Sequence, residues 1–171
     1  MRPGDPSKRG AAPAVVRRPS PGRKRPRRVG VLNGPNLNLL GTREPRLYGK
    51  LSYAALVRRI EAWAAARNVS VDVFQSNHEG ELIDRLHAWA RDRDVIGAVL
   101  NPGGLAHTSV SLRDAVAAVP FPVVEVHLTN IAAREAFRRR SLVSAAARGV
   151  VSGLGPDGYL AALEHLCGPR T

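Results

Sequence analysis

The sequence predicts an α/β protein, a doubly wound three-layer sandwich on a five-stranded parallel sheet, and three observations carry that prediction. From residue 28 onward, short β-branched or apolar runs alternate with longer segments of helical period, the signature of a parallel α/β sheet. Five such units can be counted, and the run at 95–100 is apolar almost throughout, as a strand covered on both faces is. With 171 residues and 44% hydrophobic content, the chain can fill one ordinary core.

The first strand is expected at 29–33. A helix follows at 52–67, with Leu56, Ile60 and Trp63 on one face and Ser52 placed to cap its start. The second strand is read at 69–75 and the second helix at 80–93, where Leu82, Ile83, Leu86, Trp89 and Ala90 recur at helical spacing. The third strand at 95–100 leads to a helix at 109–119, and the fourth strand at 121–128 to a short helix at 132–139. A fifth strand at 149–152 and a helix at 156–167 close the pattern, with Pro156 suited to a first helical turn. Five units of this kind give a flavodoxin-like arrangement, in which ligands bind beyond the carboxyl ends of the strands. The segments so placed are 33–50, 75–80, 101–108 and 125–130.

A net charge of +12 raises the question of nucleic acid, and its distribution answers it. Residues 1–28 hold ten Lys and Arg and a single acid, Asp5, for +9, which leaves +3 for the remainder. That stretch also has six of the 13 prolines and few large apolar residues, too little burial to offset its ordering entropy. It is read as a disordered basic tail ahead of a flavodoxin-like domain at 29–171, with nonspecific polyanion binding through the tail as the alternative role. No apolar run approaches the roughly 20 residues of a membrane span, and no signal-peptide segment follows the basic start. A lone cysteine, Cys167, excludes an internal disulfide, and cytoplasm is the expected compartment.

Several familiar motifs fail on context. Gly153 to Gly158 spells a dinucleotide fingerprint but follows the last strand, with no room for the acidic residue expected about 20 positions on. Gly49-Lys50 lacks the Ser or Thr that completes a phosphate loop. The five histidines show no paired metal spacing. Neither a cofactor nor a metal is expected.

The four loops carry the chemistry. The longest one is punctuated by Gly34, Pro35, Gly41, Pro45 and Gly49 and bears Arg43 and Tyr48, a guanidinium and a phenol whose anion it can favour. Glu125 and His127 alternate on the fourth strand and so share one side of it, where the carboxylate can orient the imidazole as a general acid. Asn101-Pro102-Gly103-Gly104 ends the third strand with an amide that can donate and accept beside glycines that admit a ligand, and His107 follows. Arg134 and Arg138, four apart on the short helix, share a face that could meet an anion or hydroxyls.

The blocks LNGPNLNLLGTREPRLYG, QSNHEGELID, LNPGGLAHTSVSLRDA, EVHLTNIAAREAFR and GLGPDGYLAAL resemble the successive motifs of the type II dehydroquinases, in order and over about residues 28–167. The resemblance implies a lyase that dehydrates 3-dehydroquinate to 3-dehydroshikimate through an enolate, the third step of the shikimate pathway and a reaction also used in quinate breakdown. It implies Tyr48 as the proton acceptor at C2, Arg43 as the group that lowers its pKa, and Asn36 as the holder of a water that stabilises the enolate. His127 would protonate the departing C1 hydroxyl, oriented by Glu125, while Asn101 holds that hydroxyl. Leu128 and Thr129 would bind the substrate carboxylate, and His107 and Arg138 the ring hydroxyls. Asp114 matches a residue that reaches a neighbouring subunit's site, implying a trimer-based assembly, in the family usually twelve subunits. Ala132 and Leu142 stand where His and Tyr are frequent, and Ala145 and Arg148 replace common Pro and Thr.

Overall fold

A computed structural model of the chain describes residues 27–42 and 51–169. Five parallel strands, β1 (Arg28–Asn33), β2 (Ser70–Gln75), β3 (Val95–Asn101), β4 (Val123–His127) and β5 (Gly149–Ser152), form one sheet in the order β2-β1-β3-β4-β5. The helices are α1 (Tyr53–Ala65), α2 (Glu79–Ala90), α3 (Val110–Ala118) and α4 (Asp157–Cys167). This strand order is the flavodoxin-like one, and its direction reverses between β1 and β3.

Two cores, one on each face, follow from the period of two along the strands. Val29 and Val31 of β1, with Val99, Val124 and Val126, meet Leu56, Ile60 and Trp63 of α1 and Tyr159, Leu163 and Leu166 of α4. Leu32, Ala98, Leu100 and Val123 turn the other way onto Leu82, Leu86 and Trp89 of α2 and Leu112 and Val116 of α3. Gly30 is required here: a Cβ on it would lie 2.4 Å from the Trp89 ring. The indole Nε1–H donates to Asp72 at 2.8 Å, so this large side chain packs on the sheet with its polar atom satisfied.

Element boundaries differ from expectation where a particular residue intervenes. Ser52 does cap α1, accepting from the Ala55 N–H at 3.2 Å, and Ser109 caps α3, accepting from Leu112 at 2.8 Å. α1 stops at Ala65 because Asn68 turns left-handed, with φ of 55°. β4 starts only at Val123, since Pro120 and Pro122 have no N–H to offer a ladder. The short helix expected at 132–139 is instead two 3-10 turns, Ile131–Ala133 and Ala136–Arg138, with Arg134 and Glu135 extended between them. Asn130 caps the first turn through Ala132, and a segment this short does not sustain an α-helical nucleus. Arg28, placed by the sequence reading at the end of the tail, is the first residue of β1. It pairs with Ser70 and Val95 and forms a 2.6 Å ion pair with Asp92. Residues 1–26 lie outside the described residues.

Candidate active site

The carboxyl ends of β1, β3 and β4 open onto one cleft. Pro35, Asn36, Leu37 and Leu40 form its first wall, Asn101, Gly103, Gly104 and His107 its floor, and His127, Leu128 and Thr129 its far wall, extended by Ile131, Arg134 and Arg138. β2 is an edge strand, and residues 75–80 do not line the cleft as expected. They brace it from behind: Gln75 donates to the Gly34 carbonyl at 3.3 Å, and Asn77 accepts from the Asn36 N–H at 2.9 Å. Asn36, exposed on this wall, is left-handed with φ of 68°, a conformation that asparagine tolerates better than most residues.

The two loops that make the first wall and the floor interlock. Gly34 donates its N–H to the Asn101 carbonyl at 2.8 Å, and a Cβ on Gly34 would stand 2.4 Å from the Pro102 carbonyl oxygen. Reciprocally, Gly103 has φ of 56°, and a Cβ on it would stand 2.9 Å from the Pro35 carbonyl oxygen. Each loop thus presents glycine where the other presents the peptide of a proline.

At the far wall, His127 and Glu125 are both buried, and Nε2 of the imidazole lies 2.5 Å from Glu125 Oε1. The strand period places the two side chains on the same side, as expected. Two further donors, absent from the sequence reading, complete the carboxylate: Ser141 Oγ at 2.6 Å and Ser144 Oγ at 2.7 Å. Burial pushes Glu125 up, but the hydrogen bonds from His127, Ser141 and Ser144 outweigh it and hold the carboxyl below its ordinary value. The carboxylate therefore stays charged and fixes the ring, leaving Nδ1 as the second proton site. Replacing Ser141 and Ser144 together by alanine is expected to destabilise the fold by about 1.5–3 kcal/mol per hydrogen bond lost, the range for bonds to a charged group. Urea unfolding at neutral pH measures it, and a loss under about 0.5 kcal/mol would mean that water replaces both hydroxyls.

The floor is held by a second polar group. Asn101 Oδ1 accepts from the Gly103 N–H at 3.2 Å, and its Nδ2 donates to the Tyr159 hydroxyl at 2.9 Å. Tyr159, wholly buried, donates in turn to Asn33 Oδ1 at 2.6 Å, and Asn33 Nδ2 lies 3.5 Å from the Tyr53 hydroxyl. The sequence reading missed Tyr159 and Asn33. The available signal was the ends of β1 and β3, which put Asn33 and Asn101 side by side in register.

Cationic groups gather beyond β4. Arg134 Nη1 donates to Thr129 Oγ1 at 3.2 Å, which leaves the hydroxyl's own proton for a ligand. Arg134 and Arg138 both pair with Glu135, at 3.3 and 3.4 Å, and both line the cleft although no helix joins them. His107 Nδ1 lies 2.8 Å from the Arg140 carbonyl. Asp114 is not brought to this cleft. It is exposed, pairs with Arg113 at 2.8 Å and faces a separate depression with Val110, Arg140, Leu142 and Ala145. Arg43 and Tyr48 lie outside the described residues.

Residues 27–167 match the family model described as dehydroquinase class II. The chain is 53% identical over 139 residues to a 3-dehydroquinate dehydratase of Halothermothrix orenii, covering 81% of this chain and 93% of that one. It is 55% identical over 139 residues to 3-dehydroquinate dehydratase 2 of Pseudomonas aeruginosa, with 81% and 93% covered. The crystal structure of a type II dehydroquinase from Butyrivibrio crossotus superposes with a TM-score of 0.82 at 38% identity, over 84% of this chain and 99% of that one.

Proposed function

The chain belongs to the class II dehydroquinase family, and from that premise we propose that its cleft dehydrates 3-dehydroquinate with tyrosine as the base and histidine as the acid. The enzyme is a type II 3-dehydroquinate dehydratase, a lyase of the shikimate pathway. What supports the acid assignment is the buried Glu125–His127 pair, whose imidazole lines the same cleft as Asn101. In this reading, Tyr48 removes a proton from C2 to give an enolate, with Arg43 favouring the phenolate and Asn36 holding the stabilising water. Collapse of the enolate breaks the bond from C1 to its hydroxyl as His127 delivers a proton, so the hydroxyl leaves as water. Asn101 holds that hydroxyl, and Leu128 and Thr129 receive the substrate carboxylate beside Arg134. His107 and Arg138 bind ring hydroxyls.

The phenols of the chain favour Tyr48 in the basic role. Of three tyrosines, Tyr53 and Tyr159 are both pushed above the ordinary phenol value by burial, the wrong direction for a base. Asp114, exposed and away from its own cleft, suits the role of reaching a neighbouring subunit's site in a trimer-based, dodecameric assembly. Incubation of the purified protein with 3-dehydroquinate tests the activity, since the product's conjugated enone absorbs in the ultraviolet. A rising absorbance is expected, and a flat trace at micromolar enzyme would refute the reading.

We also infer that residues 27–169 carry the catalytic unit. Deleting residues 1–26 and keeping Arg27 and Arg28 is expected to leave kcat/KM and assembly size unchanged, because Arg28 already forms the first rung of β1. Gel filtration and the enone assay measure both, and loss of either would make the basic segment part of the enzyme.

A further inference from the structure

The polar chain beneath the cleft has a direction, set at one end by a group that cannot reverse. A backbone N–H only donates, so the Gly103 contact makes the facing atom of Asn101 its oxygen and turns Nδ2 toward Tyr159. The Tyr159 hydroxyl accepts from Asn101 and directs its single proton to Asn33 Oδ1. Burial raises this phenol, more than the Asn101 N–H lowers it, so the hydroxyl remains protonated and the direction is kept. Asn101 is itself 3% exposed, and its carboxamide has one N–H and one oxygen lone pair left over.

We infer that Tyr159 is a positioning residue for the dehydration, locking the Asn101 carboxamide so that its free Nδ2–H is presented to the departing hydroxyl. The inference rests on the reading of Asn101 as the residue that holds that hydroxyl. A donor at this point suits the reaction, because the leaving oxygen gathers negative charge until His127 protonates it. The opposite amide orientation would set a carbonyl oxygen against that charge. Asn33 is the second anchor: by accepting from Tyr159, it keeps the phenol's proton turned away from Asn101. Without the hydroxyl, Asn101 Nδ2 and Asn33 Oδ1 would each be buried with one partner fewer, and the amide would keep a single tether at Gly103.

A double-mutant cycle of Tyr159→Phe and Asn101→Ala, read in kcat, KM and Tm, tests the inference. Tyr159→Phe is expected to lower kcat roughly 10- to 100-fold while KM changes by less than about threefold, and Asn101→Ala to lower kcat at least as far. The double variant should turn over no more slowly than Asn101→Ala, because no amide is left to orient. Wild-type kcat in Tyr159→Phe with only a lowered Tm would overturn the proposal, and so would losses that multiply in the double variant. Wild-type turnover in Asn101→Ala is a different failure: it removes Asn101 from the leaving hydroxyl, and the role of Tyr159 with it. Should Tyr159→Phe not fold, Asn33→Leu replaces it, since it preserves size and deletes the acceptor that aims the phenol. A kcat loss on Asn33→Leu that disappears when Asn101→Ala is already in place supports the proposal. An unchanged kcat in Asn33→Leu, or a loss that persists beside Asn101→Ala, overturns it.

Discussion

Tyr48→Phe is expected to leave the enzyme folded and able to bind 3-dehydroquinate while kcat falls by about 10²–10⁴-fold or more, the usual consequence of deleting a general base. The substitution removes a single oxygen, so substrate binding through the far wall should persist. No other phenol is placed to substitute. Tyr159 is sealed under the floor with its proton directed to Asn33, and Tyr53 is likewise raised by burial. Single-turnover measurement of enone formation, set beside calorimetric binding of the unreacted substrate, separates chemistry from affinity. Near-normal kcat would remove Tyr48 from its role, and lost binding with unaltered chemistry would make it a binding residue.

His127→Ala is expected to reduce kcat on the order of 10²–10⁴-fold with a small change in KM, because the leaving hydroxyl loses its proton donor. A second readout comes from Glu125. In the wild type its folded pKa lies below the ordinary value, so it contributes stability above the unfolded pKa of about 4.3 and loses that contribution as pH falls through the folded value. Removing the imidazole deletes one of the three hydrogen bonds that oppose burial, and the folded value rises toward the unfolded one. Tm should therefore fall less steeply in the variant than in the wild type as pH drops below about 5. Parallel Tm profiles would show that the imidazole does little to hold the carboxylate, and unchanged kcat would exclude His127 as the acid.

The sheet was legible in the sequence because each strand is a short apolar run between helices with clear hydrophobic stripes, as Leu56, Ile60 and Trp63 illustrate. Glu125 and His127 were legible for a simpler reason, since a period of two is enough to put them on one side. The supports were not. Ser141 and Ser144 approach Glu125 from residues 16 and 19 positions away, and Tyr159 reaches Asn33 across 126, separations that no local period encodes. The segment after β4 misled for a related reason. Arg134 and Arg138 have helical spacing, yet the extended backbone at Arg134 and Glu135 breaks the helix, and the pair converge through Glu135 instead.

The reciprocal fit of Gly34 against Pro102 and Gly103 against Pro35 has a consequence for ligands. Side chains can yield to a bulky inhibitor by changing rotamer, but two peptide backbones already in contact cannot part without breaking the Gly34 to Asn101 hydrogen bond. That corner of the cleft is ordered when the chain folds, so a ligand meets it with no conformational entropy left to lose there. Inhibitors should gain affinity by matching this corner as a fixed template, and chemical elaboration should be tolerated only where it grows away from it.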